Sequence, residues 1–191
     1  MRRLYSEHVP LLALDRPLLR ALGRRDIELA VALFDRPEMR ADFAALRRRA
    51  AEVGTRLTLW PLLSDHHGRW PNAHNTRTFA AHVQRLTEGV PPTTVLLDME
   101  PPIAWTRSVL RDALAPPRSK SARAQQLLRY TPMLGHSTGA SHRALASSLK
   151  RAGWRVDVVA PPMLSFGSRW QRWLGTSIEG LSDRAFEPMA Y

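Results

Sequence analysis

Apolar runs of strand length alternate along this chain with stretches of helical spacing, and that alternation limits the fold more than any other feature of the sequence. Ile27–Phe34 is a near-continuous apolar run. Glu38–Val53 follows with Met39, Phe43, Leu46 and Ala50 at helical spacing, and Gly54 stands where the helix would end. Arg56–Leu63 reads as the next strand, Asn75–Glu88 as a helix carrying Phe79, Val83 and Leu86 on one side, and Thr93–Glu100 as a third clear strand. Helical stretches at Ile103–Leu114 and Ala122–Leu128 are split by Pro116-Pro117. A helix over Ser141–Ala152 ends at Gly153, and Arg155–Ala160 is a strand stopped by Pro161-Pro162. Trp170–Leu174 reads as a short helix and Ala185–Tyr191 as a final strand. Arg3–Leu14 could add a strand edge at the start, although Pro10 weakens that reading.

Repeated strand–helix units with apolar strands imply an α/β fold, a parallel sheet covered by helices. The 191 residues are read as one domain spanning 1–191. An eight-stranded barrel takes about 250 residues. The expectation is therefore a (β/α)8 TIM-barrel-like domain that is incomplete or truncated, lacking terminal strand–helix units. The alternative is an open doubly wound parallel sheet. The barrel is favoured because the informative polar residues follow strands, where barrel active sites sit.

Hydrophobic residues make up 44% of the chain, as a globular domain requires. No apolar run is long enough to span a bilayer, so no membrane partner is expected. Glu7, His8, Asp15 and Arg16 interrupt any apolar region behind Met1-Arg2-Arg3, so no export signal is read and a cytoplasmic location is the default. The net charge of +11 would suit nucleic acid, but no recognised motif accompanies it. Nearly all the basic residues are arginine, spread along the chain, and Arg47-Arg48-Arg49 falls late in a helix where cations suit the dipole. Solvated helix faces explain this charge better than a nucleic-acid surface does. Without cysteine the chain has no disulfides and no cysteine ligands or nucleophiles.

Thr93–Pro102, reading TTVLLDMEPP, carries the chemistry. Side chains on a strand alternate faces, so Leu96, Asp98 and Glu100 share one face while Val95, Leu97 and Met99 share the other. Two carboxylates side by side at the end of a buried strand repel each other and lose water. One proton is then held more tightly, as a general acid requires. After the preceding strand, Trp60 and Trp70 frame a loop with Asp65 and Asn72. Aromatic platforms beside hydrogen-bonding groups suit sugars, which present apolar C–H faces and many hydroxyls.

Asp65, His66, His67 and His74 invite a metal, yet adjacent histidines do not readily face one ion and no His-Glu-x-x-His pattern is present. No metal or cofactor is expected. Gly135-His136-Ser137-Thr138-Gly139 matches the Gly-x-Ser-x-Gly elbow of serine hydrolases. Pro132 spoils the strand that should precede it, and the last histidine, His142, is only five residues on. A loop whose Ser141 caps the next helix is the simpler reading.

Asp98-Met99-Glu100 at one strand end and Met189-Ala190-Tyr191 at a later one resemble the chitinase-like glycoside hydrolases of family 18. These are barrels with Asp-x-x-Asp-x-Asp-x-Glu on the fourth strand and Met-x-Tyr on the sixth. Leu96 and Thr93 stand where that family's other two aspartates would be. The resemblance implies Glu100 as general acid, Asp98 as the carboxylate that orients the substrate's acetamido group, and Tyr191 as its hydrogen-bonding partner. Trp60, Asp65, Trp70, Asn72 and Met189 would be substrate contacts. The implied function is cleavage of a glycosidic bond, with a carbohydrate or other small molecule as partner. The alternatives are a non-catalytic carbohydrate-binding or scaffold barrel, and a serine hydrolase using Ser137.

Overall fold

The computed structural model describes residues 2–72, 74–101, 103, 106, 107, 111, 121, 139–160, 181, 187 and 188. Six strands form one parallel sheet in chain order: β1 (Arg2–Ser6), β2 (Ile27–Leu33), β3 (Leu57–Pro61), β4 (Thr94–Asp98), β5 (Arg155–Ala160) and the two-residue β6 (Glu187–Pro188). The helices between them are α1 (Arg16–Arg24), α2 (Met39–Glu52), α3 (Thr76–Thr87) and α4 (Gly139–Arg151), and residues 103, 106, 107, 111 and 121 are also helical. The order shows no reversal, and such a reversal is what creates the switch point of a doubly wound sheet.

Period-two alternation sorts the strands into two faces. Leu29, Val31 and Leu33 of β2, Leu57 and Leu59 of β3, Val95 and Leu97 of β4, and Val156, Val158 and Ala160 of β5 pack on the helices. The helices contribute Leu19, Leu22, Phe43, Leu46, Phe79, Val83, Leu145 and Leu149 to the same core. The opposite face holds a smaller cluster of Ala30, Ala32, Trp60, Leu62, Leu96 and Val159, into which no helix residue enters among the described residues. Among those residues the helices lie on one side only, and the second face fills itself by curling.

Arg3 measures the curl. Its guanidinium donates to Glu28 on neighbouring β2 at 3.1 and 2.7 Å, and also to Asp157 on β5. In a flat sheet β1 and β5 would lie about 19 Å apart, four spacings of roughly 4.8 Å. Two side chains meet across that distance only if the sheet bends round them. The result is a curled half-barrel with a concave interior, open among the described residues, where β1 and β6 are edges.

The strands and helices predicted over 27–100 and 141–160 stand within a few residues of their observed bounds, and Gly54 and Gly153 follow α2 and α4 with φ of 73° and 85°. Three differences have physical causes. The first strand is only Arg2–Ser6, because Pro10 leads into a short 3-10 turn over Leu11–Ala13. Helix α1 was not expected; Asp15 caps it by accepting from the Leu18 amide at 2.9 Å, and Pro17 occupies its first turn. Ser141 is not a cap, since α4 already begins at Gly139. The stretches predicted at Ala122–Leu128 and Trp170–Leu174, and all of Ala185–Tyr191 except residues 187 and 188, lie outside the described residues.

Candidate functional site

Asp98 is the last residue of β4 and Glu100 lies two positions on; they are 1% and 6% exposed. Between them Met99 donates its amide to the Val159 carbonyl at 2.8 Å and buries its side chain in the helix-side core. The alternation thus sends the two carboxyls together to the concave side, close enough for the charge of Glu100 to act on Asp98. The Asp98 carboxyl is pushed well above the usual range, first by burial and then by the charges of Glu100 and Glu7. The Trp60 indole, whose N–H completes no full hydrogen bond among the described residues, offsets part of that rise. A carboxyl shifted in this direction keeps its proton to higher pH than an ordinary aspartate does. The sequence places the acid role on Glu100, at the rim; the upward shift falls on its deeper neighbour Asp98.

Charged side chains ring the carboxyl end of the sheet. Arg69 donates through Nε to Asp65 at 2.8 Å and reaches Glu7, beyond the end of β1, with Nη1. Arg107 adds a contact to Asp65 at 2.9 Å. Against the upward push of its slight burial, these two guanidiniums hold the Asp65 carboxyl below its usual range. Arg69 also sits over the Phe34 ring, 5.6 Å from its centroid.

The expected substrate contacts are dispersed. Trp60 is 6% exposed, edge-on to Tyr5 at 5.5 Å within the concave cluster, so it fills the interior. Trp70 packs partly buried against the same cluster. Asn72 is fully buried; its amide donates to the carbonyls of Trp70 at 2.7 Å and Gly68 at 3.4 Å, and its Oδ1 accepts from the His74 amide. Asn75 repeats the pattern with the carbonyls of His67 and Trp70. These two residues build the loop rather than line a site. Asp65 is engaged by two arginines. Met189, Tyr191 and Ser137 lie outside the described residues.

Three groups at strand ends escaped the sequence reading: Glu7 after β1, Asp35 after β2, and Arg69 in the loop after β3. Asp35 accepts from the Ser64 amide at 2.8 Å and from the His67 ring at 3.1 Å. The rule that singled out Asp98, a charged residue just past an apolar strand, would have found Asp35 too, whereas Glu7 follows the polar strand RRLYS. Among the described residues no group of three His, Asp or Glu is placed to hold a metal ion, and no helix is long and apolar enough to cross a membrane. Compared with protein-family models, curated proteins and solved structures, the chain matches none.

Proposed function

We propose that the chain is a glycoside-hydrolase-like protein of (β/α)8 type, cleaving a glycosidic bond at the carboxylate pair. The observation that carries this reading is the buried pair at the carboxyl end of β4, in which burial and the charge of Glu100 raise the Asp98 carboxyl. Glu100, nearer the rim, faces the glycosidic oxygen. Glu100 gives its proton to the leaving oxygen, and the proton held by its neighbour Asp98 replaces it. The water that completes hydrolysis returns a proton to the pair. In the family-18-like version of this chemistry the substrate's own acetamido group is the nucleophile, and Tyr191 and Asp98 hold it.

Glu100→Gln removes the transferable proton while keeping the shape. Assayed on aryl glycosides and acetamido-sugar oligomers, it should lower turnover at least about 100-fold with the melting transition retained. Unchanged turnover would remove Glu100 from the reaction.

A second reading is a non-catalytic carbohydrate-binding or scaffold barrel, whose scaffold form is favoured by the burial of Trp60 and Asn72 as packing. It predicts glycan binding that survives Glu100→Gln and no hydrolysis by either protein.

A further inference from the structure

A separate cleft of about 870 Å³ opens at the same end of the sheet, between the segment after β1 and the loops after β2 and β3. Asp35, Arg36, Ser64, His66 and His67 line it. Within it Asp35 is anchored twice: its Oδ1 accepts from the Ser64 amide at 2.8 Å, and its Oδ2 lies 3.1 Å from His67 Nδ1. Burial alone would raise this carboxyl, but the hydrogen bonds from His67 and from the Ser64 amide outweigh it and hold Asp35 below its usual range. An ionised carboxylate can only accept, so the shared proton is on Nδ1 of the imidazole. Nε2 of the neutral ring then carries a lone pair. The His67 side chain is 44% exposed into the cleft, and no group among the described residues hydrogen-bonds its Nε2.

The serine nearby is not the nucleophile this base would activate. Ser64 Oγ sits 3.2 Å from Nδ1, the nitrogen that Asp35 already uses, whereas a Ser-His-Asp triad needs its serine on Nε2. What Nε2 can reach is water in the cleft. Arg36 lines the same cleft, its guanidinium 5.7 Å from the Phe34 ring centroid, and makes no ion pair among the described residues. It is a cation available to a developing oxyanion.

We propose that His67, positioned by Asp35, is the general base of a water-activating site that hydrolyses a carboxylic ester in this cleft. Nε2 takes a proton from water as the water oxygen bonds to the acyl carbon. The carbonyl electron pair moves onto oxygen, against the charge of Arg36. Collapse of that adduct breaks the bond to the alkoxy oxygen, which leaves with the proton returned from Nε2. Ester and water give acid and alcohol, and the site ends as it began. None of this uses Asp98 or Glu100.

The test uses the full chain with p-nitrophenyl acetate as probe. The wild-type protein should show saturable hydrolysis at neutral pH, and His67→Gln should lower kcat about 100-fold. His74→Gln, at an exposed histidine outside the cleft, should retain the rate. A wild-type protein without turnover, a full rate in His67→Gln, or an equal loss in His74→Gln would each overturn the proposal. Nitrogen-15 NMR of the unaltered protein gives a readout free of any folding defect. The His67 ring should be the Nδ1–H tautomer, converted by Asp35→Asn with a fall in kcat. An Nε2–H ring in the wild type would refute the base assignment, and an unchanged tautomer and kcat in Asp35→Asn would leave Asp35 no positioning role.

Discussion

Replacing Arg3 with methionine tests the curled sheet at the contact that defines it. The Arg3, Glu28 and Asp157 side chains are 3%, 1% and 5% exposed, so all three charges have left bulk water. Glu28 is further fixed by the Thr58 hydroxyl, which donates to it at 2.6 Å. The arginine remains charged throughout: burial opposes its proton, and the hydrogen bonds and charges of the two carboxylates more than restore it. Methionine fills much of the volume but leaves two buried carboxylates without their cation, a change that costs about 3–5 kcal/mol. For a domain of this size each kcal/mol moves the melting temperature by about 2–4 °C, so the loss should be roughly 6–20 °C. Urea unfolding of Arg3→Met, Asp157→Asn and the double variant gives the coupling between β1 and β5. The triple variant with Glu28→Gln, Asp157→Asn and Arg3→Met should recover most of the stability, since no buried charge is then left alone. A cost below about 1 kcal/mol for Arg3→Met, the range of an exposed pair, would refute the cross-sheet bridge. Absent coupling between Arg3 and Asp157 would refute the curl itself.

His142 on α4 is 1% exposed, with neither ring nitrogen hydrogen-bonded among the described residues, and burial pushes its imidazole down to about 4. Its folded value is below the unfolded value of about 6.5, so its neutral form is the one that folds. The protein should lose up to about 3 kcal/mol as pH falls from 6.5 to 4, and His142→Leu should flatten that part of a urea-midpoint profile. Asp98 gives the opposite sign: a carboxyl raised on folding costs stability as pH climbs from the unfolded carboxylate range through the folded value. Asp98→Asn should therefore be more stable than wild type at pH 7 and no more stable at pH 3; an equal gap at both would deny the shift.

Strands β2 to β5 were legible because each is covered on the outside by helices and packed on the inside by its neighbours, which makes near-continuous apolar runs. Helix α1 was not, as its sequence RPLLRALGR places four arginines or glycines among five other residues and hides the apolar stripe. The cap at Asp15 and the proline two residues on were the available signal. The Asp98–Glu100 pair could be read because its geometry is local, two positions on one strand. Arg3 and Asp157 are 154 residues apart, and Asp35 and His67 are 32 apart, so their meeting depends on the sheet order and its bend. The same bend explains Trp60. Among the described residues the concave face is filled by the strands' own side chains, and a large ring near a strand end becomes packing before it can become a platform.

The raised Asp98 carboxyl beside Glu100 can be tested directly by carbon-13 NMR of the aspartate side-chain carboxyls across pH. Asp98 should titrate well above an ordinary aspartate, and Glu100→Gln should bring its midpoint down by removing the neighbouring charge. An Asp98 carboxyl that titrates near 4 in the wild type, with no response to Glu100→Gln, would contradict the paired-carboxylate site.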